Sequence, residues 1–163
     1  MIIFGLDPGT ARVGWGVIRS VSWGVEALSY GCIETSQKDT RQDRLLIIYQ
    51  SISKYLKKFK PEAIAIEDIF FATNAKTVIQ VGEARGVILL TSALAKLKVI
   101  SYTPLVVKQT ICGTGAADKS QIQKMVTRLL KLPKIPKPDD TADALAIALT
   151  HAYSYKLKSK LVQ

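Results

Sequence analysis

Residues 2–18, IIFGLDPGTARVGWGVI, read as a strand, a turn and a second strand. The apolar run from Ile2 ends at Asp7-Pro8-Gly9, a combination that stops a strand and turns the chain. Arg12–Arg19 resumes strand composition with glycine breaks, and Val25–Thr35 repeats it, so the three stretches predict an antiparallel meander. Beyond residue 38 the period changes. Leu45, Ile48, Tyr49, Ile52 and Leu56 share one face of a helix over about 40–59, with Asp39 or Thr40 as its cap and Pro61 beyond its end. Ala63–Glu67 is a second short buried strand, followed by a helix over about 74–97 and a strand near 98–103 that stops at Pro104. Asp118 and Gln121 form a capping pair for a helix to Leu130. PKIPKP at 133–138 is a stiff connector, and a last helix is expected from about Asp140 to Tyr155 with Asp139 as its cap. Three strands followed by alternating helices and strands predict an α/β domain with a mixed sheet.

A chain of 163 residues with 48% hydrophobic and 22% charged residues fits one globular domain with a sizeable core. Nothing in it has the length and apolarity of a membrane span, and the amino terminus lacks a signal-peptide pattern. Cys32 and Cys112 have neither metal nor disulfide spacing, which fits a reducing cytoplasm. The net charge is +10 and unevenly spread. Nine basic residues and one acid, Asp118, occupy positions 96–137. Such a basic half is the electrostatic footprint of a polyanion partner.

Against that background the acids stand out. Strand alternation places Ile3, Gly5 and Asp7 on one face, and Ala63, Ala65 and Glu67 on one face of the other buried strand. If those strands are parallel neighbours, Asp7 and Glu67 emerge side by side at the carboxyl edge of the sheet, where α/β proteins hold ligands. Asp140 and Asp143 lie three apart in the first turn of the last helix and can face one point. Capping and dipole stabilisation, worth about 0.3–1 kcal/mol, account for Asp139 and Asp140 but not for Asp143, one turn in. Four converging carboxylates would repel one another unless a cation joined them. Mg²⁺ prefers oxygen ligands, and two such ions about 3.5–4 Å apart can clamp the attacking and leaving oxygens of a phosphodiester.

The stretches GLDPGTARVGWGVI, AIEDIFFATNAKTVIQVGEARGV, VKQTICGTGAADKSQIQKMV and DDTADALAIALTHA resemble, in order and over nearly the whole chain, the bacterial RuvC Holliday junction resolvases. The resemblance implies a ribonuclease H-like (integrase) fold, with a five-stranded mixed sheet flanked by helices on both faces. It implies one nuclease domain over 1–157 and a short basic tail over 158–163. The implied activity is symmetric nicking of two opposed strands of a four-way DNA junction, in recombination and repair, with water as nucleophile. Mg²⁺ is the implied cofactor, replaceable by Mn²⁺, with two ions per site. Asp7, Glu67, Asp140 and Asp143 match the metal-binding acids, with Asp139 an additional acid beside the pattern. Phe70 matches an aromatic that stacks on an unpaired base, while Phe71 is expected in the core. Lys108 and Lys119 match basic positions near the active centre. Partners implied are a second copy of the chain and the RuvA–RuvB branch-migration complex, without nucleotide or membrane.

Gly82 and Gly86 each cost a helix about 1 kcal/mol against alanine. Something should therefore approach that backbone closely, either the protomer's own sheet or a partner helix; the family uses this helix in its dimer. His151 reads as a satisfied buried histidine, and Trp15 and Trp23 as core or hairpin contacts. An actin-like nucleotide-binding reading of GLDPGT needs two domains and has no use for D-x-x-D on the last helix. A non-catalytic junction-binding module would keep the lysines and lose acids. The shorter YqgF-type nucleases share the Asp-x-Gly start but lack the match around Phe70 and Lys119.

Overall fold

The computed structural model describes residues 1–68 and 75–161. Its five strands are β1 (Ile2–Asp7), β2 (Arg12–Val21), β3 (Gly24–Glu34), β4 (Ala63–Glu67) and β5 (Val99–Tyr102). They form one sheet in the order β3-β2-β1-β4-β5, antiparallel across β3-β2-β1 and parallel across β1-β4-β5. The helices are α1 (Arg41–Phe59), α2 (Ala75–Leu94), α3 (Pro104–Cys112), α4 (Lys119–Leu129) and α5 (Asp139–Leu161). Among the described residues, no helix is long and apolar enough to cross a membrane.

Strand alternation divides the core in two. Phe4, Leu6, Ile64 and Ile66 pack with Ile48 and Ile52 of α1 and with Ala84 and Ile88 of α2. On the other face Ile3 and Ala65 pack with α3, α4 and α5 through Val107, Ile122 and Leu145. This second face is lined by small residues because a helix lies directly on it. A Cβ at Gly5 would stand 2.2 Å from the Ala144 carbonyl oxygen, and one at Gly16 2.6 Å from the Leu145 side chain. The glycines that break up the sequence's opening strands are therefore the seat of α5.

The caps of α1 and α4 follow the sequence. The Thr40 hydroxyl accepts from the Asp43 N–H, and Asp118 and Gln121 complete a capping box. Two expectations need correction. Periodicity placed no helix between Pro104 and Asp118, yet α3 is there, with Thr103 as N-cap and Pro104 in its first turn; this is a standard start signal, obscured by the β-branched run through Val106 and Val107. Helix α5 begins at Asp139 itself and runs past Tyr155 to Leu161; the Asp139 carboxylate takes backbone hydrogen bonds at the helix start and is turned to Lys119. Of the two readings of Trp23, the hairpin one holds: it is 88% exposed at the β2–β3 turn. Trp15 is buried and stacks on Tyr55 at 4.2 Å between centroids. His151 is buried, its Nδ1 sharing a 2.8 Å hydrogen bond with the Tyr102 hydroxyl.

Candidate active site

Asp7 and Glu67 end β1 and β4, which run parallel with Leu6 beside Ile66. The two carboxylates therefore leave the sheet side by side, on the face that α5 covers. The amino end of α5 is pressed against the same edge. Gly14 pairs with Asp7 across β1 and β2, and a Cβ at Gly14 would stand 1.9 Å from the Asp140 carbonyl oxygen. Asp140 and Asp143 thereby reach the strand-end acids from above.

The electrostatics record the convergence. Burial pushes the Asp7 carboxyl well above the usual carboxylate range, and the negative charges of Glu67, Asp143 and Asp140 push it further, against the Lys119 ammonium. Glu67 is raised by burial and then by Asp143, with Lys119 again opposing. Asp143 is raised chiefly by burial, and Lys119 opposes this as a charge and as a hydrogen-bond donor.

Lys119, the first residue of α4, stands 2.5 Å from Asp139 Oδ2 and 3.3 Å from Asp143 Oδ2. The hydrogen bond to Asp139 leads the interactions that hold its ammonium above the ordinary lysine range, and the same bond holds Asp139 below the ordinary carboxylate range. The adjacent acids thus divide. Asp139 goes to Lys119, while Asp140 acts on Asp7. Asp140 Oδ2 is buried without a hydrogen bond among the described residues, with Arg12 Nη1 at 3.9 Å. Lys108 of α3 shares a small cleft with Glu67 and Asp143, floored by Val107, Ile122 and Ala146. Phe70 and Phe71 lie outside the described residues.

Periodicity and spacing did not reveal two neighbours of this cluster. Arg12 lies between Asp140 and Glu34, whose Oε1 is 3.8 Å from its Nε. The hairpin register, which sets Arg12 opposite Glu34, is the signal that could have found it. Cys32 faces Asp140 from β3, and burial, then Asp140 and Glu34, raise its thiol to about 11.

Among the described residues, no three His, Cys, Asp or Glu side chains are gathered closely enough to hold a metal ion between them. The donor set nonetheless fits a hard divalent cation. It consists of carboxylates, three of them destabilised as anions by burial, and one buried oxygen, Asp140 Oδ2, has no hydrogen bond among the described residues. Mg²⁺ is commonly held by one or two carboxylates, with water and substrate phosphate completing the shell, rather than by an all-protein cage.

Residues 3–151 match the family model described as "Crossover junction endodeoxyribonuclease RuvC". The chain belongs to the RuvC family. The RuvC protein of Natranaerobius thermophilus is 47% identical over 161 residues, covering 99% of this chain and 100% of the relative. That of Fusobacterium nucleatum is 52% identical over 161 residues, covering 99% of this chain and 84% of the relative. Among solved structures, Thermus thermophilus RuvC in complex with Holliday junction substrate superimposes with a TM-score of 0.92 at 34% identity, covering 97% of this chain and 96% of that one. The sheet and its flanking helices are thus the ribonuclease H-like fold of RuvC proteins, and the acids of the present cluster all lie inside the matched stretch.

Proposed function

We propose that this chain is a structure-specific endodeoxyribonuclease that resolves four-way (Holliday) DNA junctions by metal-dependent, symmetric nicking of two opposed strands, in recombination and repair. The observation that carries this reading is the meeting of Asp7, Glu67, Asp140 and Asp143 at one sheet edge of a chain whose net charge is +10. Those four acids hold the metal. When bound, Mg²⁺ or Mn²⁺, two ions per site, supplies Lewis-acid stabilisation of the phosphodiester oxygens and orients the attacking water. Asp7 fixes the deepest ligand position. Glu67 supplies a carboxylate on the neighbouring strand, and α5 brings Asp140 and Asp143 from above. Lys119, at a helix start whose amides also favour phosphate, and Lys108 hold the DNA backbone near the acids. Phe70 stacks on a base at the junction centre.

Cutting two opposed strands requires two sites, and α2 supports a homodimer. Among the described residues, nothing beyond the helix's own backbone comes within 4 Å of a Cβ added at Gly82 or Gly86, so the sheet does not explain them. Ile79, Leu90 and Leu94 on the same helix are exposed. The domain spans residues 1–157 with a basic tail over 158–163, and it works in the cytoplasm with the RuvA–RuvB branch-migration complex. The deciding experiment is a nicking assay on a mobile and a fixed four-way junction, with and without Mg²⁺. Paired nicks that require the metal are expected; absence of nicking, or nicking of linear duplex at the same rate, overturns the reading.

A further inference from the structure

β4 ends in two successive acids, and only one of them enters the carboxylate cluster. Strand alternation sends Glu67 to the α5 face and Asp68 to the α1/α2 face. There Arg85, from the middle of α2, is waiting. Its Nη2 donates to Asp68 Oδ1 at 3.1 Å and to Ser101 Oγ of β5 at 2.8 Å. The Arg85 side chain is only 17% exposed, and its Nε is buried without a hydrogen bond among the described residues. At the same point the Asp68 N–H donates to the Tyr102 carbonyl at 2.9 Å, which fixes the β4 end against β5.

We propose that Arg85 is a positioning residue for the nuclease reaction: it clamps Asp68 and Ser101 together behind the sheet, and so holds the Glu67 carboxylate in place on the other side. This rests on the resolvase reading above. The clamp fixes the peptide from which Glu67 projects. An uncompensated guanidinium or carboxylate at this half-buried spot is costly, so losing either partner should release the β4 end.

The test compares steady-state nicking of a four-way junction by Arg85→Met, Asp68→Asn, the double variant and Arg85→Lys. A shift in one active-site group can cost up to about 10²-fold. Each single variant is expected to lower kcat about tenfold with KM within about twofold. The double variant should be no slower than the worse single one, and Arg85→Lys, which keeps a charged donor, should recover most of the rate. Losses that multiply in the double variant, a change confined to KM, or no change at all would overturn the proposal. If Arg85→Met does not fold, Asp68→Asn, at a side chain 42% exposed, carries the comparison with Arg85→Lys. A parent protein that nicks no junction refutes the resolvase reading and this inference with it. A parent that nicks while the variants multiply refutes this inference alone.

Discussion

Gly14 and Asp140 touch through their backbones: a Cβ at position 14 would lie 1.9 Å from the Asp140 carbonyl oxygen. That contact sets how closely the first turn of α5 approaches the ends of β1 and β2, and hence how near Asp140 and Asp143 come to Asp7. Gly14→Ala cannot be accommodated by rotating a side chain, since the obstacle is main chain. Overpacking of this kind costs about 1–3 kcal/mol. The variant should melt at lower temperature and should lose nicking beyond what its unfolded fraction explains. A melting curve and a nicking assay on the same preparation check both parts.

This contact also shows how far the sequence could be read. The small-residue faces at Gly5, Ala63 and Ala65, and the strand parity of Asp7 and Glu67, were visible because a period of two follows from local backbone geometry. The docking of α5 on those faces was not, because nothing local in DDTADALAIA states which glycine it will meet. The roles of Arg12 and Arg85 are not legible in the sequence for the same reason. Their roles come from partners brought close by the sheet, Glu34 across a hairpin and Asp68 across a helix–sheet interface. Helix α3 has its start signal in Thr103-Pro104, but Val106, Val107 and Ile111 favour strand composition and mask its helical periodicity.

The Asp7 carboxyl is pushed well above the usual carboxylate range by burial and then by the negative charges of Glu67, Asp143 and Asp140. Asp7→Asn keeps the shape and removes the charge that a cation needs. Nicking should fall by about 10²–10³-fold, the scale of losing one preorganised charge-stabilising group. Junction affinity measured without metal should hold or rise slightly, because binding rests on the basic surface. A gel-shift titration beside the nicking assay separates the two, and parallel loss of both would contradict the division of labour between acids and lysines.

Cys32 offers a reporter beside the acids. Its thiol is raised from 9.0 to about 11 by burial first and by Asp140 and Glu34 after it. The thiolate is the reactive form, so at pH 8 it is about a hundredfold scarcer than for an unperturbed thiol. In a Cys112→Ser background, iodoacetamide should therefore label Cys32 far more slowly than free cysteine. The labelling rate should rise with pH up to the region of 11. A divalent cation at Asp140 would offset part of the negative charge facing the thiol, so saturating Mg²⁺ should speed labelling of the folded protein. An unchanged rate would place the cation away from Asp140.

Gly82 and Gly86 allow the dimer to be tested apart from the fold. Glycine in a helix interior is worse than alanine by about 1 kcal/mol, and among the described residues an added Cβ at either position meets nothing beyond the helix's own backbone within 4 Å. Within the isolated chain, Gly82→Ala and Gly86→Ala should therefore be neutral or stabilising. If a partner helix packs against that backbone, the same methyl groups stand between the two chains and weaken their association. The expected result is a protein with an equal or higher melting temperature under dissociating dilution, a larger dimer dissociation constant by sedimentation, and slower paired nicking that recovers as protein concentration rises. A purely structural role in the protomer predicts the reverse order, with stability lost first and the oligomeric state intact, so the two readings differ in sign and not merely in size.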